Sequence, residues 1–222
     1  MMNAKMDLEL GYRSLPDAIA DHIVNLIATG QLQPGQRLYE KDICNLLNVS
    51  RIPAREALRT LQTQGVVRSE PNRGTFITHF GSSETLELLE IRLCVERIAV
   101  RRLLARAANE PRLLDELLEN IAAMKRAALL SDRLSYCRAD LSFHERVVTL
   151  SDSPMLKPIW DSLSRGVLVF LMQERDDSYD FNKSVIDHEK LIALMRGGDL
   201  ARIEAEWAHH IGVVIGNLEP DL

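Results

Sequence analysis

Two groups of side chains in this 222-residue chain have types and spacing suited to chemistry. Arg51, Arg55 and Arg59 recur every four residues. A helix would set all three on one face, away from a stripe of Ala54, Ala57, Leu58 and Leu61. An arginine fork can grip guanine O6/N7 or a phosphate with two bonds, so such a face suits a nucleic acid. The second group begins with Asp140 and His144, one helical turn apart and in phase with Cys137, Leu141 and Val148. A carboxylate and an imidazole that face a core need a partner there. His188 and His210 stand at similar distances on either side of Gly197-Gly198-Asp199, so an antiparallel helix hairpin would bring them together. The stripe Ile203, Trp207, Ile211, Val214, Leu218 includes His210 and puts His209 on nearly the opposite face. One Asp and three His can bind a borderline divalent metal. From spacing alone a second reading stays open: a buried Asp140–His144 hydrogen bond and ordinary core histidines.

The elements that must hold these residues follow from periodicity and punctuation. A first helix is expected over Leu15 to Thr29, capped by Ser14 and ended by Gly30. A second runs from about Glu40 to Leu47 with Ile43, Leu46 and Leu47 inward. After a turn at Asn48-Val49, Ser50 caps a third that ends near Gln64. Val66 to Arg68 and Thr75 to Thr78 read as strands joined by Pro71-Asn72-Arg73-Gly74, with Arg73 at the tip. Helix, tight turn, helix and hairpin is the layout of a winged helix-turn-helix, whose second helix enters the major groove. Six further helices are expected at about 84–108, 111–130, 133–150, 154–175, 183–196 and 200–218. The fold class is therefore mainly α: an N-terminal winged helix-turn-helix with a small β wing, then an all-α antiparallel bundle. The expected domains are 1–78 and 84–222, with a linker at 79–83.

Charge divides along the same line. Residues 1–78 hold nine Lys/Arg against eight Asp/Glu, and the remainder 18 against 24. The acidic remainder is a poor polyanion binder. Cys44, Cys94 and Cys137 are few and scattered, which argues against a disulfide framework and predicts three small buried hydrophobes in a reducing cytoplasm. No apolar run reaches the roughly 20 residues of a membrane helix, and Met1 to Arg13 lacks an apolar signal core.

The motif V-S-R-I-P-A-R-E-A-L-R-T-L, followed by G-V-V and P-N-R-G-T-F-I, resembles the winged helix-turn-helix of the GntR family of bacterial regulators over about residues 13–78. The resemblance implies DNA contacts at Lys41, Arg51, Arg55 and Gly74. Lys41 stands where an arginine is often found, keeping the charge without the fork. Downstream, R-L-C-V-E from Arg92, D-L-S-F-H at Asp140 to His144, D-H-E-K-L-I-A-L-M-R-G-G-D and W-A-H-H-I resemble the FCD-type effector domain of the FadR subfamily. That resemblance implies a divalent metal, Zn first with Ni or Mn as alternatives, held by Asp140, His144, His188 and His210. It further implies a small organic-acid effector beside the metal, with Arg92 as its arginine. Arg138 and Arg165 are alternatives, and a plain helix pair with Glu96 is the competing role for Arg92. Ser153-Pro154 departs from the family's frequent Asn-Pro, which bears on effector selectivity.

The expected protein is a homodimeric bacterial repressor that reads operator DNA and is not an enzyme. Two alternatives remain at this level: a metal-dependent hydrolase with an accessory winged domain, and a metal-free regulator with an apolar effector.

Overall fold

The computed structural model describes residues 14–79, 82–174 and 179–216, with side chains from Thr85 and up to Gly212 in the last two segments. The chain divides into two compact units, Met1–His79 and Phe80–Leu222.

In the first unit, α1 (Leu15–Ala28), α2 (Glu40–Leu47) and α3 (Arg51–Thr63) accompany a three-stranded antiparallel sheet. Ser14 caps α1 through the Asp17 amide at 3.3 Å. Ser50 occupies the N-cap of α3 but makes no side-chain capping bond. Asn48 turns the chain between α2 and α3 in a left-handed conformation, φ 51°. The sheet order is β1-β3-β2, with β1 at Arg37–Leu38, β2 at Val67–Glu70 and β3 at Gly74–Ile77. β1 was not expected from the sequence: two residues are too few to show alternation, and only pairing with Thr75 and Phe76 defines them. Ile19, Ile23, Ala54, Ala57, Leu61, Val66 and Ile77 form the core. Leu46 does not join it and is 60% exposed, because a two-turn helix resting on α3 turns only one face inward, here through Ile43.

The described elements of the second unit are all helices: α4 (Ser82–Ala107), a 3₁₀ segment (Pro111–Leu117), α5 (Leu118–Leu129), α6 (Arg133–Leu150), α7 (Leu156–Glu174), α8 (Phe181–Gly197) and α9 (Leu200–Gly216). The expected helix over 111–130 is thus two pieces. The 3₁₀ turns after Pro111 bury Leu113, Leu114 and Leu117 before the α-helix starts. Of the expected linker, His79 is irregular, Ser82 and Ser83 already belong to α4, and residues 80 and 81 lie outside the described set. Gly198, φ 74°, closes α8 with a left-handed cap that starts the turn into α9. Cys137 is buried, but Cys44 is half-buried and Cys94 lies exposed on α4, correcting the expectation of three buried thiols. Cys94 falls between Ile91 and Ile98 on the side of α4 that the bundle leaves uncovered. None of the described helices is long and apolar enough to cross a membrane.

Candidate functional site

On the winged unit, Lys41, Arg51, Arg55, Arg59 and Arg73 are all exposed, while Gly74 is half-buried. Arg55 is clamped across the helix-turn-helix by Glu40, its Nε donating to Oε2 at 3.0 Å and Nη2 to Oε1 at 3.1 Å. This bond holds the Glu40 carboxyl below its ordinary range. Clamping one edge of the guanidinium fixes the direction of the other, which leaves a fork aimed from α3. At the wing, Arg73 Nη1 meets Glu70 at 2.5 Å, and Arg68 reaches the same carboxylate at 3.2 Å. Gly74 has φ 106°, a backbone conformation that disfavours any side chain.

In the helical unit, α6, α8 and α9 bring His144, His188 and His210 together, with one ligand nitrogen from each within 4.8 Å of the others. The fourth sequence candidate joins them: His188 Nε2 lies 3.2 Å from Asp140 Oδ1. Each imidazole is oriented by its surroundings. His188 Nδ1 donates to the Ser184 carbonyl at 2.7 Å, turning Nε2 inward. There Nε2 is buried beside Asp140 Oδ1 but makes no hydrogen bond to it or to any other described residue. His144 Nδ1 meets Glu96 Oε2 at 2.6 Å, and its Nε2 stands 3.4 Å from His210 Nε2. Burial pushes the His144 imidazole down in pKa against the pull of Glu96. Burial, with the other two imidazoles alongside, pushes His210 well below its ordinary value. Both are then neutral near pH 7, the form in which imidazole ligates a metal. Three converging imidazole nitrogens, one of them a buried Nε2 beside a carboxylate to which it makes no hydrogen bond, fit a divalent cation better than they fit one another.

Sequence reasoning took Glu96 only as a helix partner for Arg92. The structure gives it a larger part. It accepts from Arg92 Nε at 2.6 Å, from Trp207 Nε1 at 2.7 Å and from His144. Burial alone would raise this carboxyl, yet Arg92 and His144 overcome that and hold it at about 2. A carboxylate behind a histidine fixes the ring and raises its basicity as a ligand. A buried Glu one turn from a buried Arg was the available signal, but nothing in the sequence pointed it at His144. Arg92 is therefore ion-paired as the competing reading held. It also lines a cavity of about 190 Å³ bordered by Asp140, His210, Lys183, Asp187 and Lys190. Arg138 and Arg165 are not among its walls.

A winged helix-turn-helix followed by an all-helical unit defines a class of transcription regulator. Comparison with known proteins gives the family. Residues 15–77 match the model of bacterial regulatory proteins of the gntR family, and residues 87–213 match the FCD domain. The chain belongs to the GntR family, in its FadR-type, FCD-containing branch. It is a transcription regulator, not an enzyme, which removes the hydrolase alternative. It is 28% identical over 197 residues to the "Probable D-xylose utilization operon transcriptional repressor" of Paenarthrobacter nicotinovorans, covering 89% of this chain and 85% of that protein. Identity to the gluconate operon transcriptional repressor of Bacillus subtilis (strain 168) is 26% over 180 residues, 79% of this chain and 73% of that one. A GntR regulator from Rhodococcus sp. RHA1 has the same fold, with TM-score 0.75, 20% identity and coverage of 93% and 98%. E. coli McbR/YncC gives 0.74, 21%, 93% and 97%.

Proposed function

We infer that the chain is a metal-dependent, homodimeric bacterial repressor, working in the cytoplasm, whose operator affinity responds to a small organic acid. Residues 1–78 would be the reader, 79–83 the linker and 84–222 the sensing and dimerisation domain. The observation that carries this reading is the convergence of His144, His188 and His210 on Asp140, with His188 Nε2 buried and otherwise unpartnered. Those four residues would hold the cation, Zn being best suited to the donor set, with Ni or Mn as alternatives. A bound cation supplies a positive anchor for a carboxylate. The chain's own part is to orient the ligands through Glu96 and Ser184 and to present Arg92 and the two lysines at the cavity wall. About 190 Å³ is below the roughly 300–1,000 Å³ of drug-sized pockets, which favours a small acid. The charged lining disfavours an apolar effector.

Dimerisation is supported by apolar residues left in the open. Ile91 and Ile98 on α4 are 50% and 47% exposed, and Met155, just before α7, and Ile159, within it, are 71% and 40% exposed. Arg102, one turn beyond Ile98, donates to the Ser151 and Asp152 carbonyls at 3.2 and 3.1 Å, so the α4 stripe runs up to the turn that leads into α7. Repression as the sign of regulation rests on the names of the two relatives above. At the DNA, Lys41, Arg51, Arg55, Arg59, Arg73 and Gly74 would make the contacts, Arg55 as the base reader.

Elemental analysis of the purified protein, with Zn titration of wild type and His188→Ala, tests the sensor. Near-stoichiometric cation and its loss in the variant are expected. No cation and equal affinity in both proteins would leave a metal-free regulator instead. A footprint on the gene's own upstream region, repeated with candidate acids, tests the response.

A further inference from the structure

We propose that Arg37 is a DNA-backbone contact of the wing, its guanidinium lying over the bare Cα of Gly74. The inference rests on the winged unit's reading of DNA and adds a residue to it.

The wing carries three arginines, and two of them share one carboxylate that offsets a single charge. Arg68 and Arg73 share the Glu70 carboxylate at 3.2 and 2.5 Å. Arg37, exposed on β1, has no carboxylate partner among the described residues. Its guanidinium is nonetheless held in place. Cζ lies 4.7 Å from the Tyr39 ring centre and 6.0 Å from that of Phe76. β1 pairs with β3 in the register Arg37 to Phe76, which fixes the Cα from which the side chain extends. Stacking on an aromatic face leaves the in-plane N–H donors unused, because the ring binds the cation's face.

The side chain ends at the wing glycine. A Cβ built on Gly74 would sit 2.9 Å from Arg37 Nε, 3.0 Å from Nη2 and 3.3 Å from Cζ. A side chain there would push the arginine aside, and the φ of 106° already disfavours any residue but glycine. The planar end of Arg37 therefore covers the place where a side chain would stand at the turn. Any duplex close enough to touch the Gly74 backbone comes within reach of that guanidinium. A free, rigid cation beside a strand tip suits a phosphate oxygen: it adds affinity without reading sequence. The start of the sheet then adds a cation to the one that Arg73 presents at the hairpin tip.

A duplex enriched by the wild-type protein from a randomised pool serves as probe, with binding measured across a salt series. Arg37→Met keeps the aliphatic packing on Tyr39 and removes the charge. Expected is a severalfold weaker complex, a salt slope shallower by about 0.9 per winged unit, and unchanged preference between the selected duplex and single-base variants. Arg37→Lys should keep the slope, and Arg68→Met, whose guanidinium shares the Glu70 carboxylate, should alter it less than Arg37→Met does. A wild-type slope in Arg37→Met, with the variant folded by circular dichroism, overturns the proposal; so does a change of base preference. Arg55→Ala keeps the two readings apart. It should lose base preference but keep the Arg37-dependent slope, whereas a pool that yields no enriched duplex overturns the DNA reading and this proposal with it.

Discussion

Each unit carries an arginine–glutamate pair, and the two pairs live in opposite surroundings. Arg55–Glu40 bridges α3 and α2 with side chains 59% and 28% exposed. Arg92–Glu96 lies within one helix with side chains 4% and 0% exposed. Near water such a pair adds little to stability, and either partner can be exchanged for another ion. In the core neither partner can leave without stranding a charge. The same two side chains thus make a replaceable contact in one unit and a fixed support in the other.

The strongest way to break this contrast is Glu96→Ala. It removes the shared acceptor of Arg92, His144 and Trp207, leaving a buried cation and two buried donors unsatisfied. A loss of about 3–5 kcal/mol in the helical unit is expected from urea unfolding. A loss under about 1 kcal/mol would mean that the core relaxes around the missing carboxylate.

Cation binding should act in the opposite direction. At a free cation concentration of 100 times Kd, unfolding free energy should rise by about 2.7 kcal/mol, chelator should reverse the gain, and His188→Ala should abolish it. Calorimetric midpoints with and without Zn measure this.

Acid should separate the units next. The pKa values of His144 and His210 are depressed in the folded protein, so the unfolded chain binds more protons just below pH 6.5. Their contribution is fully present above pH 6.5 and is lost as the pH falls through the folded values. Glu96, at about 2 when folded and near 4.5 when unfolded, contributes fully above pH 4.5 and loses that contribution between pH 4.5 and 2. Metal-free helical unit should therefore weaken progressively below pH 6.5, as followed by its unfolding midpoint. The winged unit, whose Arg55–Glu40 pair is exposed, should change less over the first part of that range.

The smallest stability effect belongs to Arg55→Ala, which should leave the midpoint nearly unmoved while discrimination against a changed base falls roughly 5- to 150-fold. Unaltered discrimination would place base reading elsewhere on α3.

What the sequence disclosed follows the same division. Arg51, Arg55 and Arg59 could be placed because helical phase is a local property, and the stripe of Ala54, Ala57 and Leu61 fixes it. His188 and His210 could be paired because Gly198 sets a hairpin whose arms count outward equally. What escaped notice depends on contacts between distant segments. Glu96 reaches His144 across 48 residues and Trp207 across 111. Arg37 meets Gly74 only because a two-residue strand pairs with β3. The exposure of Leu46 likewise depends on which neighbour α2 finds, not on its own pattern.

The placement of the indoles has an optical consequence. The chain's two tryptophans are Trp160 and Trp207, both fully buried in the helical unit. The Trp207 ring centre lies 5.7 Å from that of His144, and Arg92 Cζ lies 5.9 Å from the Trp160 ring. Indole emission therefore reports on the histidine cluster and its arginine, and residues 1–79 add no indole signal of their own. A paramagnetic ion such as Ni or Mn seated among the imidazoles should quench that emission, while a labelled duplex reports on the winged unit. Cation occupancy and DNA occupancy could then be read in one cuvette as two independent colours, and the order in which they change would show whether one depends on the other.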